Sequence, residues 1–371
     1  MKGLIDSTLR EGSQTFGLAF NLAQKKEIFA GLCSVGIEEI EIGIATPLDE
    51  DLPSLIKFCR GLNRTRRLAL WCRCRHEDIV FARSLQPDVL SLSIPVSDIH
   101  IERKLNRDRQ WALETARKSI LTARQLGFKV VSLGLEDATR ADHEFLKEII
   151  KTANSCDVGR IRLADTVGIA SPLKIASLVQ YVKNLGPMEV GVHAHNDFGM
   201  ATANSLAALD AGADWADATV LGLGERAGNA RLEELAGYLA LQRSRRYKLE
   251  RLKDLTLKVG RMSGRTIEPH NPIVGEKIFY CETGLHLQGL NKDTAIYEPF
   301  SPKIVGATRK FRYGSKIGKN EVLSLLGEMK KTAANINVDE IVLTVRRKAG
   351  VLGRPLKRRE LLSLITSVFN S

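Results

Sequence analysis

The sequence predicts an α/β chain in which a (β/α)8 TIM barrel, residues 1–243, is followed by a small, mostly helical C-terminal subdomain, residues 244–371. Two observations predict it. Up to about residue 240, short β-rich runs alternate eight times with amphipathic stretches of helical period, which requires parallel strands joined by helical crossovers and is most economically closed as a barrel. Beyond residue 243 the alternation stops. An open doubly wound sheet would more usually hold about five or six strands.

In chain order, the first strand is GLIDSTL (3–9), after which the sequence turns polar at Arg10, Glu11 and Gln14. LAQKKEIFAGLCSVG has helical period and closes on a Gly suited to a left-handed cap; it leads into the second strand, EEIEIGI (38–44). RLALWC (67–72) and DVLSLSI (88–94) are the third and fourth strands. The helix TARKSILTARQLG precedes KVVSLGL (129–135), and HEFLKEIIKTANS precedes RIRLA (160–164). PLKIASLVQYVKNLG then leads to MEVGVHA (188–194), and MATANSLAALDAG to the eighth run, DATVLGL (217–223). The basic segment RSRRYKLERLKDLTLKVGRMSG opens the second region, where PHNPIVGEKIFYCETGLHLQGL, YEPFSPKIVG and the helix-like EVLSLLGEM show no large core of their own. Such a region is expected to dock on the barrel or on a partner chain.

Composition narrows the function classes. Apolar residues at 44% and charged residues at 26% are ordinary for a globular protein. No apolar run approaches a membrane span and no leader pattern opens the chain, so a cytosolic protein without membrane contact is expected. Cys33, Cys59, Cys72, Cys74, Cys156 and Cys281 lack paired CxxC spacing and read as reduced thiols. The net charge of +12 comes without interleaved aromatics or a nucleic-acid signature, which argues against nucleic acid as a partner and leaves either a solvated basic face or one that attracts an anionic small substrate or a phosphorylated carrier.

In such a barrel the working residues sit at the C-terminal ends of the strands. Arg10 and Glu11 end the first strand, and VHAHND ends the seventh, with His193 and His195 at i and i+2 on one face. Strands one and seven are near neighbours in a closed ring of eight, so Glu11, His193 and His195 can meet on one divalent ion such as zinc, manganese or iron. Arg10 is then placed to orient an oxyanion or carboxylate; pairing with Glu11 is disfavoured if the chain there is extended, because adjacent side chains point apart. In LGLGERAGNA (221–230) the glycine spacing does not fit a dinucleotide fingerprint; a close backbone approach to an anionic substrate, beside Asn229, fits better. Glu136, ending the fifth strand, is a candidate acid/base; Asp137 is either that or a helix cap, and Thr166, after the sixth, a hydroxyl donor or cap.

Taken together, DSTLREGSQ, ADTVG, HAHNDFGMATANSLAALDAGAD and GLGERAGNA, continued by ETGLHLQGL and YEPFSPKIVG, resemble the signature set of the 2-isopropylmalate and homocitrate synthase family. The resemblance implies a TIM barrel with a helical subdomain, working as a homodimer in which each subdomain reaches over the partner's site. It implies a divalent metal ion (Mn2+, Mg2+ or Zn2+) on Glu11, His193 and His195, with Asn229 at or near it, and acetyl-CoA and a 2-oxo acid as substrates. Arg10 contacts the 2-oxo acid, Gln14 and Thr166 line the pocket, and Glu136, His286 and Tyr297 match the acid/base positions. WCR (71–73), IPVSDIHIERKL (94–105), GLEDATRAD and YEPFSPKIVG are most similar to homocitrate synthases of the nitrogen-fixation type. The chain ends at Ser371 without the regulatory domain of typical 2-isopropylmalate synthases, which leans the same way.

Two departures stand out. The His and Arg that help hold the far carboxylate of 2-oxoglutarate in lysine-pathway relatives match Arg75 and Ser132 here, so that contact is expected at Arg75 or His100. The usual GKHSG reads GSKIG at 314–318. The reading is homocitrate synthesis, with 2-isopropylmalate or citramalate synthesis and a TIM-barrel acyl-CoA lyase as alternatives.

Overall fold

The computed structural model describes residues 1–62, 65–244, 247–329 and 337–369. Its first eight strands are β1 (Gly3–Asp6), β2 (Glu39–Ile44), β3 (Arg67–Arg73), β4 (Val89–Pro95), β5 (Val130–Glu136), β6 (Arg160–Asp165), β7 (Glu189–Ala194) and β8 (Trp215–Ala218). They close into a barrel in chain order, every pair parallel, with Gly3 against Trp215 and Asp6 against Ala218 where β1 meets β8. This is a TIM barrel. The helices are α1 (Leu22–Val35), α2 (Leu52–Leu62), α3 (His76–Leu85), α4 (Arg109–Gln125), α5 (His143–Ser155), α6 (Pro172–Lys183), α7 (Ala201–Asp210), α8 (Leu232–Gln242) and α9 (Leu249–Ser263).

Local chemistry sets the helix ends. Asn21 caps α1 by accepting from the Gln24 N–H while the Gln24 side chain accepts from the Asn21 N–H, and Gly36 leaves the helix at φ 107°, where a side chain would be strained. Asp108, Asp142 and Ser171 accept the first free N–H groups of α4, α5 and α6 in the same way. Inward-facing strand residues alternate with residues packed against these helices, which fills the barrel with side chains.

The eighth run forms less strand than its composition suggests. Pairing ends at Ala218, and Val220–Gly222 turns as a 3-10 helix in which Leu221 lies at φ 59° and Gly222 at φ 61°. The Leu221 N–H is held by the buried Glu233 carboxylate at 3.0 Å, so the apolar run bends to build the barrel mouth.

The chain divides into two compact units, Met1–Ile267 and Glu268–Ser371. The expected boundary at 243 lies ahead of α9, which packs on α1 and α8, its Leu255 against Gly31. Of the basic segment that opens there, Arg245 and Arg246 lie outside the described residues. The second unit holds α10 (Gly284–Lys292), α11 (Lys319–Glu328), α12 (Val338–Leu352) and α13 (Arg358–Phe369), with a short parallel ladder between Tyr280–Cys281 and Lys310–Phe311. Contrary to the sequence expectation it has a core of its own, built from Ile317, Val322, Leu326, Ile341, Val345 and Leu361 among others. The six cysteines are free thiols, and no helix among the described residues is long and apolar enough to cross a membrane.

Candidate active site

The mouth of the barrel holds a cavity of about 240 Å³ lined by Arg10, Glu11, Gln14, Trp71, Lys104, Glu136, Arg162, Thr166, His193 and His195, with Ile44, Ser93, Gly134, Ala164 and Glu225 completing the wall. Its charged centre comes from β1, β2, β6, β7 and β8. Glu11, His193 and His195 are buried and offer one ligand atom each, all within 4.8 Å of one another. His195 Nε2 lies 3.2 Å from Glu11 Oε1 and His193 Nε2 3.9 Å from Glu11 Oε2. The far nitrogens are engaged behind the site: His193 Nδ1 faces Asp217 at 2.9 Å, and His195 Nδ1 the Asp165 carbonyl at 3.3 Å. Such outer contacts fix the ring orientation and leave Nε2 free to ligate. One carboxylate and two imidazoles converging in a buried pocket are a donor set suited to a divalent ion.

Arg10 and Glu11 do not point apart. The chain turns at Thr8–Glu11 instead of continuing as a strand, so both side chains enter the mouth and Arg10 Nη1 donates to Glu11 Oε2. Arg10 Nε donates to Glu41 Oε2 at 2.6 Å, its guanidinium lies 5.9 Å from the Trp71 ring centre, and its Nη2 is buried without a partner. That nitrogen keeps donor capacity that no protein group uses.

Glu41 lies beneath. It accepts from Ser7 Oγ at 2.6 Å, from Arg10 and from Arg162 Nη1 at 2.9 Å, while Arg162 also stands 3.4 Å from Asp217. Burial pushes the Glu41 carboxyl up, but Arg10 and Arg162 outweigh it and hold the group at about 2. Glu11 behaves alike: burial raises its carboxyl, and the His195 hydrogen bond and Arg10 bring it far below the usual range. For His193, burial is the leading influence and lowers its basicity, with Asp217 acting the other way. A neutral imidazole is the ligating form.

The glycine loop supports Asn229. Gly224 lies at φ 154°, and a Cβ there would sit 2.0 Å from Asn229 Nδ2; at Gly228, φ 88°, a Cβ would sit 1.9 Å from the Gly222 carbonyl. Asn229 Nδ2 donates to the Leu223 carbonyl at 2.9 Å and its Oδ1 is buried without a partner.

Gln14 and Thr166 lie in the wall, where Thr166 Oγ1 also accepts from the Asp137 N–H at 2.8 Å. Asp137 makes no cap; it is buried and bound by Arg140 and Ser97. Glu136 accepts from Ser93 Oγ at 2.9 Å and pairs with Lys104 at 3.3 Å. Arg75 and His100 are not brought to the cavity wall: Arg75 is exposed ahead of α3, and His100 Nε2 faces Asp137 at 3.8 Å. His286 and Tyr297 lie in the second unit, ring centres 4.1 Å apart, in a separate, largely apolar cavity of about 380 Å³ with Phe279 and Phe300.

Sequence reasoning missed Glu41, Asp217, Arg162, Trp71 and Lys104. Arg162 left a signal, a charge inside the apolar run RIRLA, because a cation in a strand buried on both faces must meet a counter-charge inside.

A sequence profile of the HMGL-like family matches residues 3–259, and one described as homocitrate synthase post-HMGL domain-like matches residues 273–351. The chain is 36% identical to 2-isopropylmalate synthase 2 of Caldanaerobacter subterraneus over 98% of its own length and 95% of that protein. It is 38% identical to a homocitrate synthase of Frankia alni, covering 85% and 90%, and 34% identical to a putative (R)-citramalate synthase of Archaeoglobus fulgidus, covering 98% and 75%. The chain therefore belongs to the HMGL-like family, among the synthases whose barrel is followed by a homocitrate synthase post-HMGL domain-like segment.

Proposed function

We propose that the protein is a homocitrate synthase, joining acetyl-CoA to 2-oxoglutarate and hydrolysing the thioester to give (R)-homocitrate and CoA. The observation that carries the reading is the placement of Glu11, His193 and His195 beside the unpartnered Nη2 of Arg10 in one buried pocket. Glu11, His193 and His195 would hold a divalent ion, with Asn229, whose Oδ1 has no partner, as a further candidate ligand, and such an ion would supply Lewis acidity to the keto group of the acceptor.

The remaining roles fall to the chain's own side chains. Arg10 Nη2 binds an oxygen of the 2-oxo acid and stabilises negative charge as it develops there. Gln14 and Thr166 orient the same end. Glu136 is the acid/base group of the barrel and the base that removes a methyl proton of acetyl-CoA, while the family pattern assigns acid/base work to His286 and Tyr297 as well. The resulting carbon nucleophile bonds to the keto carbon, the keto oxygen gains a proton, and water then cleaves the thioester to release CoA. The wall across from β1 carries Ser93, Gly134, Glu136 and Lys104, with few apolar members, which favours a chain ending in a polar group over branched hydrocarbon.

The test is CoA release by purified protein with Mn2+ or Mg2+ against 2-oxoglutarate, 2-oxoisovalerate, pyruvate and oxaloacetate in parallel. Preference for 2-oxoglutarate is expected; preference for another acid overturns the acceptor assignment. Glu11→Ala and His193→Ala should lose metal binding and turnover together, and a variant that is active without bound metal overturns the site.

A further inference from the structure

We propose that Lys104 selects the acceptor: its ammonium receives the distal acid group of a dicarboxylic 2-oxo acid, a role that rests on the condensing reaction proposed above.

Three observations support it. The first is placement. Lys104 ends the π-helical turn Ile99–Lys104 that follows β4, and in a closed ring of eight β4 and β5 stand across from β8 and β1. An acid whose keto end meets Arg10 Nη2 on the β1 side directs its remaining carbons toward the wall where Lys104 Nζ and Glu136 lie 3.3 Å apart.

The second is charge. Three cations line the cavity, and two are already committed beneath it: Arg10 to Glu41 and Glu11, Arg162 to Glu41 and Asp217. Lys104 pairs with Glu136, whose other oxygen is taken by Ser93. An ammonium has three donors, so Lys104 can keep Glu136 and accept a second carboxylate.

The third is room. The inward positions of β4 and β5 are Ser91, Ser93, Ser132 and Gly134, the smallest stretch of the barrel interior near the mouth. A Cβ on Gly134 would come within 3.6 Å of Ser93 Oγ, narrowing that wall. Ser93 Oγ and the Glu136 carboxylate make that wall polar, which is unsuited to a branched alkyl end. Arg75 and His100 lie off this wall, which leaves Lys104 as the cation on it.

The experiment compares 2-oxoglutarate with 2-oxopentanoate, the same five-carbon chain bearing a methyl in place of the distal carboxylate, in wild type, Lys104→Met and Lys104→Arg. A charge-assisted hydrogen bond is worth roughly a 10- to 100-fold preference. In Lys104→Met the ratio of kcat/KM for the two acids should fall by about that factor, mainly through KM for 2-oxoglutarate, and calorimetric binding of 2-oxoglutarate should weaken in parallel. Lys104→Arg should retain most of the ratio. An equal loss with both acids means that Lys104 acts through Glu136 and overturns the proposal, as does an unchanged ratio in a folded Lys104→Met protein. A wild type that does not favour 2-oxoglutarate overturns the acceptor assignment itself, so the two failures are told apart by the wild-type arm.

Discussion

Glu41 shows how much of a site can rest on one side chain that never meets substrate. It is fully buried, anchors Arg10 and Arg162 together and fixes the direction in which Arg10 presents its free nitrogen. Replacing it by Gln removes the carboxylate that both guanidiniums share in a dry interior, and a loss of about 3–5 kcal/mol is expected by urea unfolding. Its titration gives a second handle. The folded group sits at about 2 against an ordinary 4.5, so the stability it contributes is complete above 4.5 and drains away as the pH falls toward 2. Thermal midpoints of wild type and Glu41→Gln should therefore converge on acidification below about pH 4.5; a gap that stays constant contradicts the pairing. In the sequence Glu41 is one acid in EEIEIGI, and nothing local tells an inward from an outward carboxylate until the strand's neighbours are known. Glu11, His193 and His195 were legible because three metal-ligating types fell at strand ends, where the barrel rule already looks.

Strands and helices were read well where period and caps agreed, as in HEFLKEIIKTANS, which forms α5 with the bounds the sequence suggests. The misses have local causes. DATVLGL has strand composition, but its Leu221 and Gly222 adopt left-handed backbone under the hold of Glu233, a contact 12 residues away in sequence that composition cannot show. α9 looked like the start of the appendage because its exposed face is so basic; its buried face, Leu252, Leu255 and Val259, belongs to the barrel unit. Leu255 packs where Gly31 gives α1 no side chain, an arrangement in which a Cβ would lie 2.6 Å from Leu255 Cδ1. Leu255→Ala should therefore cost about 2–5 kcal/mol in the unfolding of the barrel, and a smaller effect would mean that α9 is dispensable to it.

Across the entire chain the charges have two signs in two places. The sequence carries +12, much of it on exposed Lys and Arg, while the centre of the mouth sets the two guanidiniums of Arg10 and Arg162 against the three carboxylates of Glu11, Glu41 and Asp217. The exterior field gathers anions, and salt screens it over about 10 Å at 0.1 M. Raising salt from about 0.05 M to about 0.5 M should lower kcat/KM for an anionic acceptor several-fold with kcat little changed; an insensitive kcat/KM would leave the surface charge without a part in capture. The buried set is far less open to screening. The same carboxylates that steady Arg10 therefore also act as a filter on sign: being buried, they would go on favouring a cation at salt concentrations that have already silenced the outer surface, so capture of an anionic substrate should fail in brine long before the affinity of the Glu11, His193 and His195 cluster for a divalent ion does.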